Sequence, residues 1–265
     1  MNLDLEGKRV FVSGSTAGIG LAVASALLRE GASVIVNGRT NARVAAAVER
    51  LRTSGIPASN VRGVAADLGS ASGITELLRE VPEVDILVNN VGIFEAKPFG
   101  DITDEEWQRF FDVNVLSGVR LSRAYLPGML ARNWGRIIFV SSESGLQIPA
   151  EMIHYGVTKT AQLGVARGLA ELTAGTNVTV NSVLPGPTKS EGVGDFVAGL
   201  AAQQGKSPGD VERDFFRTAR PTSLLQRFET PDEIAAVIAF VASPRASAIN
   251  GSSLRADGGV VRSIA

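Results

Sequence analysis

The chain has 265 residues, of which 45% are hydrophobic and 20% are charged, and its formal net charge is -1. This length and composition predict a globular protein with a sizeable core, and the absence of a basic field argues against binding to nucleic acid. With no cysteine and one histidine, the sequence excludes disulfides, thiolate metal sites, a cysteine nucleophile and histidine-rich metal sites.

The sequence contains no recognisable targeting or membrane segment. The start of the chain lacks the cationic segment and long apolar run of a signal peptide. The most apolar later stretch, at 234–242, is too short to span a bilayer. We therefore expect a soluble, cytoplasmic protein.

Short apolar, β-branched runs alternate with longer amphipathic stretches along the chain. We predict strands at 9–13, 33–37, 61–66, 84–89, 136–141, 178–183 and 252–256, and helices at 18–30, 40–53, 71–80, 103–131, 152–174 and 230–242. Several strands are almost continuously hydrophobic, as expected when helices cover both faces of a parallel sheet. The pattern predicts one doubly wound α/β domain of the Rossmann type over residues 1–265, with a seven-stranded parallel sheet.

One segment interrupts this alternation, between the sixth and seventh strands. Because ligands bind at the carboxyl ends of strands in such folds, we interpret residues 186–225 as a substrate lid. A surface excursion without a role in binding is the alternative. The lid arginines, Arg217 and Arg220, are more simply explained as solvated charges than as substrate ligands. Candidates for a partly apolar substrate pocket are Phe94, the segment 145–149, Pro187, Phe196, Phe215 and Phe216.

A glycine-rich turn, SGSTAGIG at 13–20, joins the first strand to the first helix. Gly14, Gly18 and Gly20 allow the backbone to turn tightly and to approach a pyrophosphate, whose charge then meets the N–H groups at the positive end of the helix. Glycine-rich turns of this kind also serve close packing alone. The position after the first strand of a βαβ series favours a dinucleotide site.

The second strand ends in VIVNGRT, and the residue at such a tip normally faces the adenosine ribose. An acidic side chain there would bind the 2′-hydroxyl and repel a 2′-phosphate. The chain has Asn37 and then Arg39 instead, which favours NADP(H) over NAD(H); Arg39 as a solvated loop charge is the alternative. After the third strand, Asp67 is placed to accept from the adenine amino group while Leu68 packs nearby, unless Asp67 caps the next helix.

The segment HYGVTK at 154–159 places Tyr155 and Lys159 one helical turn apart on the same face. They are either a surface pair or a device that lowers the pKa of the tyrosine. A phenol titrates near 10 in water, too high for an efficient acid or base at neutral pH, and a neighbouring ammonium favours the phenolate. His154 should face away from Tyr155, because adjacent helical residues point in different directions. Glu143 is interpreted as a solvated or capping carboxylate.

These motifs, together with NNVG at 89–92, Asn114, Ser142 and PGPT at 185–188, resemble the classical short-chain dehydrogenase/reductase family in order and spacing. The resemblance covers essentially the whole chain, including NGSSLRADGG at 250–259. Ser13 stands where the family usually has threonine, and Val91 where it usually has alanine. The resemblance implies an oxidoreductase that moves a hydride between a nicotinamide cofactor and a carbonyl or alcohol substrate.

The same resemblance implies roles for individual residues. Tyr155 is the general acid in reduction and the base in oxidation, and Lys159 also holds the nicotinamide ribose. Ser142 binds the substrate oxygen, with its neighbour Ser141 as the alternative if the register slips by one residue. Asn114 bends its helix and holds a water in the proton relay, unless it is only a buried structural amide. The predicted cofactor-binding residues are Gly14, Ser15, Thr16, Gly18, Ile19, Gly20, Asn37, Arg39, Asp67, Leu68, Asn90, Val91, Gly92, Tyr155, Lys159, Pro185, Gly186 and Thr188.

Two other functional classes stay open at this level. A cofactor-binding or sensor protein without turnover would share the fold, although such relatives typically lose the tyrosine, lysine or serine. An isomerase or dehydratase is the other. The substrate is open among small ketones, sugar-derived alcohols, 3-oxoacyl thioesters and cyclic ketones. Family members pair their long helices, here 103–131 and 152–174, so the resemblance implies a homotetramer, with a dimer as the alternative.

Overall fold

A computed structural model describes residues 2–53 and 58–264. Its parallel strands form one sheet of seven, in the order β3-β2-β1-β4-β5-β6-β7. The strands are β1 Arg9–Val12, β2 Ser33–Gly38, β3 Val61–Ala65, β4 Ile86–Asn89, β5 Gly135–Val140, β6 Val178–Pro185 and β7 Ser253–Ala256. Every predicted strand is confirmed, as is the doubly wound α/β class, because the order reverses beside β1.

The predicted helices are present as well, with one internal difference. The helices are α1 Gly18–Arg29, α2 Asn41–Arg52, α3 Ala71–Glu80, α4 Asp104–Phe111, α5 Ser117–Ala131, α6 Ile153–Glu171, α7 Glu191–Gln204, α8 Pro208–Thr218 and α9 Pro231–Ala242. The helix predicted at 103–131 is divided into α4 and α5 by a π-helical segment, Asp112–Leu116. Within the described ranges, every helix is too short or too polar to traverse a bilayer.

The sheet separates two apolar cores, and β1 shows how. Val10 and Val12 belong to the core that includes Leu27 of α1 and Ile238 of α9. Phe11, between them, belongs to the core on the other face, which includes Leu121 of α5. Successive strand residues point to opposite faces, so a strand covered on both sides must be apolar at every position. Each fully buried aliphatic side chain stabilises the fold by about 1.5–3 kcal/mol.

Polar side chains define where several helices begin. The helices α2, α3, α4, α8 and α9 start at a serine or threonine whose side-chain oxygen accepts a hydrogen bond from an N–H of the first turn. The capping residues are Thr40, Ser70, Thr103, Ser207 and Thr230. Each such cap satisfies a backbone donor that the helix itself leaves unpaired.

The interruption before β7 consists of α7 and α8, which form a small core of their own. Val197 of α7 packs with Val211 and Phe216 of α8 and with Phe228. The ring of Phe215 stacks on that of Phe228, with their centroids 5.1 Å apart. The assignment of Phe216 to the substrate pocket is therefore wrong, because its ring is buried between these helices. The assignment of Phe215, which is half-buried, stays a prediction. The side chain of Phe196 lies outside the described part of the chain.

Candidate active site

The glycine turn between β1 and α1 has the conformation that its sequence predicts. Gly14 and Gly18 have φ angles of 59° and 54°, in the left-handed region that favours glycine. Gly20 is required for close approach instead. A Cβ there would lie 2.5 Å from Nδ2 of Asn90 and 2.6 Å from the carbonyl oxygen of Gly14.

Side chains that directly follow β1 and β4 hold this turn in place. Nδ2 of Asn90 donates to the carbonyl oxygens of Ser13 and Gly14, at 2.9 and 3.0 Å. The Ser13 hydroxyl accepts from the N–H groups of Asn90 and Val91. Ser13 therefore keeps the hydrogen-bonding function of the threonine that it replaces. Ser15 also braces the turn, because its hydroxyl donates to the carbonyl oxygen of Val12 at 2.6 Å.

The start of α1 fits an anionic ligand. Ala17 at its N-cap position provides no side-chain cap, and the first turn carries no acidic residue. The free N–H groups and the positive end of the helix dipole are therefore available to a pyrophosphate, unlike those of the capped helices. Thr16 and Ile19, both half-buried, lie on either side of this position.

At the end of β2, Asn37 and Arg39 have different environments. The Asn37 amide is buried: Nδ2 donates to the carbonyl oxygens of Val64 and Ala66, and Oδ1 accepts from the N–H of Gly14. The expectation that this side chain faces the ribose is therefore wrong, since its donors and acceptor tie the glycine turn to β3. Arg39 is exposed just beyond the strand.

After β3, Asp67 and Leu68 also differ in exposure. Oδ1 of the exposed Asp67 accepts from the N–H of Gly69, at 3.1 Å, and the N-cap of α3 is Ser70. Asp67 thus shapes the turn before the helix rather than capping it. Leu68 is buried in the core with Ile74. Its predicted contact with the cofactor cannot be made by the side chain, which points into the core.

The four predicted catalytic residues come from three elements. Ser142 follows β5, Tyr155 and Lys159 lie on α6, and Asn114 lies in the π-helical segment. Nζ of Lys159 is 5.6 Å from the centre of the Tyr155 ring. A Cβ at Gly92 would lie 3.5 Å from both Nζ of Lys159 and Oδ1 of Asn114. The loop after β4 therefore passes directly over the point where these side chains meet.

Asn114 connects this loop to α6. Its Oδ1 accepts from the N–H of Ile93 at 2.8 Å, and its Nδ2 donates to the carbonyl oxygen of Ile93 and to Oγ1 of Thr158. Its own carbonyl oxygen accepts from Nε2 of Gln162. A carbonyl that leaves the helical ladder in this way accompanies the π-helical segment, a distortion that is frequent at functional sites. Asn114 is thus buried and lies at the distortion of the helix, and its part in a proton relay stays a prediction.

The two neighbouring serines have separate partners. The Ser141 hydroxyl donates to the carbonyl oxygen of Lys159 at 2.9 Å, which fixes β5 against α6. The Ser142 hydroxyl donates to Oε2 of Glu143 at 2.5 Å and accepts from the N–H of Ser144. Only Ser142 also interacts with the phenol of Tyr155.

Glu143 is not the solvated carboxylate that the sequence suggested. It is 5% exposed, and its Oε1 accepts from Nε of Arg220 at 3.2 Å. Arg220, which follows α8, is 8% exposed, so the interpretation of this arginine as a solvated charge is also wrong. Its Nη1 donates to Glu151 at 3.1 Å. Sequence reasoning missed this pair because its members are 77 residues apart; the one available signal was a carboxylate directly after Ser142.

The protein's own groups raise the pKa of Tyr155 above its ordinary value. Burial has the largest effect, and the Glu143 carboxylate adds to it, whereas the Ser142 hydroxyl and the Arg220 charge lower this pKa. Burial also lowers the pKa of Lys159 to about 8. Among the protein's own groups, Ser142 and Arg220 lower the pKa of Tyr155, and the lowering expected from Lys159 stays a prediction.

His154 lies on the far side of the helix from the phenol, as predicted. Its ring packs 4.0 Å from that of Phe110 and 6.1 Å from that of Trp107, both on α4. The pKa of His154 is lowered by burial. Its contacts connect α6 to α4 and leave Tyr155 on the open side.

The PGPT segment after β6 is held by a buried carboxylate. The N–H of Gly186 donates to Oε2 of Glu229 at 3.0 Å, and the Thr188 hydroxyl donates to the carbonyl oxygen of Gly186. A Cβ at Gly186 would lie 2.7 Å from the carbonyl oxygen of Asp257. Pro185 is the last residue of β6. Burial raises the pKa of Glu229 to about 7; this residue was not identified from the sequence.

Apolar side chains stand beside the phenol. The ring of Phe94, which is 59% exposed, makes an edge contact with that of Tyr155 at a centroid distance of 6.3 Å. Leu146 and Ile148, from the predicted pocket segment, are also exposed. Exposed apolar groups next to a reactive centre can contact a substrate carbon skeleton.

The chain matches known proteins over its whole length. A family model described as short chain dehydrogenase matches residues 8–200. The chain is 50% identical, over all of both chains, to "Uncharacterized oxidoreductase YvaG" of Bacillus subtilis (strain 168). It is 35% identical to the D-beta-hydroxybutyrate dehydrogenase of Cupriavidus necator, covering 97% of this chain and 99% of the relative.

A solved structure gives the same result. L-sorbose reductase from Gluconobacter frateurii, complexed with NADPH and L-sorbose, superposes with a TM-score of 0.92 at 29% identity and covers 100% of both chains. These matches agree with the glycine turn, the uncapped start of α1 and the meeting of Ser142, Tyr155 and Lys159. The chain belongs to the short-chain dehydrogenase family and is an NAD(P)-dependent oxidoreductase that acts on alcohol or carbonyl groups.

Proposed function

We propose that this enzyme interconverts small polar ketones and their alcohols with NADP(H) as the favoured cofactor. The observation that carries the proposal is the meeting of Ser142, Tyr155 and Lys159 beside the loop at Gly92, which follows β4 and is hydrogen-bonded to the glycine turn. This arrangement provides a proton donor, a hydroxyl for the substrate oxygen and a cation for the charge that develops.

The proposed proton chemistry uses the chain's own residues. When bound, the nicotinamide supplies the hydride in reduction and accepts it in oxidation. In reduction, Tyr155 donates its phenolic proton to the substrate oxygen, while the Ser142 hydroxyl holds that oxygen in place. Lys159, at 5.6 Å from the ring centre, stabilises the resulting phenolate. In oxidation, the phenolate removes the hydroxyl proton instead.

Hydrogen bonds to other protein groups hold Lys159 in place. Its Nζ donates to the carbonyl oxygen of Val140 at 2.9 Å and to Oε1 of Gln162 at 3.3 Å. Gln162 in turn donates to the carbonyl oxygen of Asn114. We infer that this buried row of polar groups fixes the ammonium in place, and that a water held at Asn114 would continue the proton relay from Lys159.

The preference for NADP(H) rests on the end of β2. Gly38 provides no carboxylate to repel a 2′-phosphate, and a Cβ there would lie 2.5 Å from Cγ2 of Thr16. The exposed Arg39 follows directly and provides a guanidinium that can bind a phosphate with two hydrogen bonds. The NADPH bound by the sorbose reductase supports the same choice. We propose that the other predicted cofactor residues, apart from the buried Leu68, line or brace the same groove.

A sugar-like hydroxyketone is the substrate class that we favour. The sorbose reductase covers the whole chain, α7 and α8 included, with a TM-score of 0.92. Polar groups at the site, among them Ser142, suit hydroxyl-rich compounds, and Phe94 provides one apolar wall. The hydroxybutyrate dehydrogenase relative makes short 3-oxoacids the second class to test.

The experiment is a substrate screen that follows nicotinamide absorbance, with both cofactors and in both directions. The panel contains ketoses, short 3-oxoacids, 3-oxoacyl thioesters and cyclic ketones. We expect ketoses with NADPH to give the highest kcat/KM. Turnover confined to 3-oxoacyl thioesters or to NADH would overturn the proposed substrate class or cofactor preference, respectively.

We further propose that residues 186–225 act as a lid and that the enzyme is a homotetramer. The separate core of α7 and α8 allows them to move as a unit relative to the sheet. Leu172, at the end of α6, is 62% exposed, as expected for a residue at a helix-pairing surface. Light scattering tests the tetramer against a dimer. Residence in the cytoplasm stays a prediction from the sequence.

A further inference from the structure

A row of hydrogen-bonded polar and charged side chains runs from Ser142 to the segment that contains α7 and α8. The Ser142 hydroxyl donates to Oε2 of Glu143, Oε1 of Glu143 accepts from Nε of Arg220, and Nη1 of Arg220 donates to Glu151. Glu143 and Arg220 are both buried, and they belong to segments 77 residues apart in sequence. The arginine that closes the pair comes from the proposed lid, directly after α8.

Removing the charges of such a pair from water is unfavourable. The desolvation free energy can equal the attraction between the two charges, so a buried ion pair is weak evidence for a role in stability alone. Here one carboxylate oxygen is committed to a residue that also interacts with the phenol of Tyr155. The contact of the pair with Ser142 therefore indicates a role in catalysis rather than in stability.

We propose that Glu143 and Arg220 are positioning residues for the reaction. Arg220, which belongs to the lid, orients the Glu143 carboxylate, and Glu143 orients the Ser142 hydroxyl. This inference rests on the proposed roles of Ser142 and Tyr155. A serine has one proton to donate, and in this arrangement Glu143 accepts it. To donate to a substrate oxygen, Ser142 must turn that proton away from the carboxylate. Arg220 makes this exchange easier, because a carboxylate paired with a guanidinium is a weaker acceptor for a third group.

The same pair acts on Tyr155 with opposite signs. The negative charge of Glu143 disfavours the phenolate, and the positive charge of Arg220 favours it. Lys159, on the same helix as Tyr155, is a further charged group near the phenol. Glu143 also acts on Lys159 and on Glu229, which precedes α9. Since the two charges oppose each other, removing one of them must shift the titration of Tyr155 in a direction that identifies which one was lost.

The test compares Glu143→Gln, Arg220→Met, Arg220→Lys and the double variant Glu143→Gln/Arg220→Met in the full-length enzyme. The readout is the pH profile of kcat/KM for alcohol oxidation at saturating NADP+, which reports the pKa of the base in the enzyme–cofactor complex that binds the alcohol. We expect Glu143→Gln to move the rising limb to lower pH by about one unit, and Arg220→Met to move it to higher pH by a smaller amount. The double variant should return toward the parent profile, and Arg220→Lys should remain close to it.

A matched control comes from α8, the helix that precedes Arg220. Arg217 on α8 is exposed and pairs with Asp214, so Arg217→Met changes the net charge as Arg220→Met does without reaching Glu143. It should leave the profile unchanged. Shifts in the same direction for Glu143→Gln and Arg220→Met, or no shift in either, would overturn the inference.

Two further measurements separate the possible failures. Thermal unfolding identifies variants that lose activity because they are destabilised, and the double variant removes the unpaired charge that causes such a loss. The chain has two tyrosines, so in a Tyr125→Phe background the alkaline onset of tyrosinate absorbance reports Tyr155 without turnover. In that background, Glu143→Gln should move the onset to lower pH. If Tyr155→Phe retains activity, the proposed function fails; if Tyr155→Phe is inactive but the profiles do not shift apart, only this inference fails.

Discussion

Asn114 and Ile93 exchange two hydrogen bonds: Oδ1 of Asn114 accepts from the N–H of Ile93 at 2.8 Å, and Nδ2 donates to its carbonyl oxygen at 3.0 Å. A single side chain thereby pairs both backbone groups of a residue in the loop after β4. The same Nδ2 donates to Thr158, one position before Lys159. The loop over the site and the helix that carries Tyr155 and Lys159 are therefore fixed to each other by one amide.

Replacing this amide should cost both stability and turnover. Asn114→Ala leaves the backbone groups of Ile93 without partners, a loss of about 1–3 kcal/mol in the free energy of unfolding. Turnover should fall as well, because the loop at Gly92 is no longer held above Lys159. Denaturant unfolding and steady-state kinetics measure the two effects. Asn41→Ala, at the exposed start of α2, is the control and should change neither; an Asn114→Ala enzyme with parental stability would contradict this account.

A side chain at Gly20 should disrupt the cofactor turn. The Cβ of Gly20→Ala would lie 2.5 Å from the Asn90 amide and 2.6 Å from the carbonyl oxygen of Gly14, so the turn must shift. We expect the dissociation constant for NADPH, measured by fluorescence titration, to rise at least tenfold. Gly199→Ala on α7 is the matched control, because its Cβ meets nothing within 4 Å; it should stabilise the protein by about 0.5–1 kcal/mol. Unchanged NADPH binding by Gly20→Ala would show that the cofactor does not use this turn.

Arg39 should distinguish the two nicotinamide cofactors. Arg39→Ala removes a charge-assisted contact to the 2′-phosphate, and such contacts contribute about 1.5–3 kcal/mol. NADPH should therefore bind at least tenfold more weakly, while NADH binding changes little, since NADH has no phosphate at this position. Parallel titrations with both cofactors measure the difference. Equal losses for the two cofactors would show that Arg39 does not contact the phosphate.

Glu229 should make stability depend on pH between about 4.5 and 7. Its pKa is raised from 4.5 to about 7 in the folded protein, mainly by burial, so the folded state holds a proton that the unfolded chain has released. Its contribution to stability is therefore greatest below pH 4.5, falls as the pH rises to 7, and costs about 3 kcal/mol above that. Glu229→Gln still offers an oxygen to Gly186 but does not titrate.

Urea unfolding at pH 5 and pH 8 measures this effect. The parent should lose more stability between these two values than Glu229→Gln does. Thr222 does not titrate and does not contact Glu229, so Thr222→Val is the control and should follow the parent. If the parent and Glu229→Gln change by the same amount, Glu229 is not the group that titrates.

The fold was largely predictable because its signals are local. Strands buried on both faces appear as apolar runs, and Ser or Thr at positions such as Thr40 and Thr230 marks where helices start. The residues of the site were predictable for a different reason, since the glycine turn and the Tyr155–Lys159 spacing are short motifs. The π-helical segment was not, because the apolar pattern of a helix continues through it.

What the sequence did not reveal depends on distant contacts. Asn37 lies at the end of β2, yet its side-chain amide is hydrogen-bonded to β3 and to the glycine turn. Glu143 and Arg220 each look like surface charges in their own segments, and only the folded chain buries them together. The pKa of Tyr155 is a further case. Its rise results from burial and from Glu143, neither of which the HYGVTK segment discloses.

The central claim is that Tyr155 transfers the proton, and replacing its hydroxyl tests this most directly. Tyr155→Phe keeps the ring beside Phe94 and removes only the phenolic oxygen. With a substrate from the screen, we predict that kcat for NADPH-dependent reduction falls by a factor of at least about 10² to 10⁴, the usual contribution of a general acid, while NADPH binding is nearly unchanged. A Tyr155→Phe enzyme that reduces the ketone at the parental rate would contradict the account.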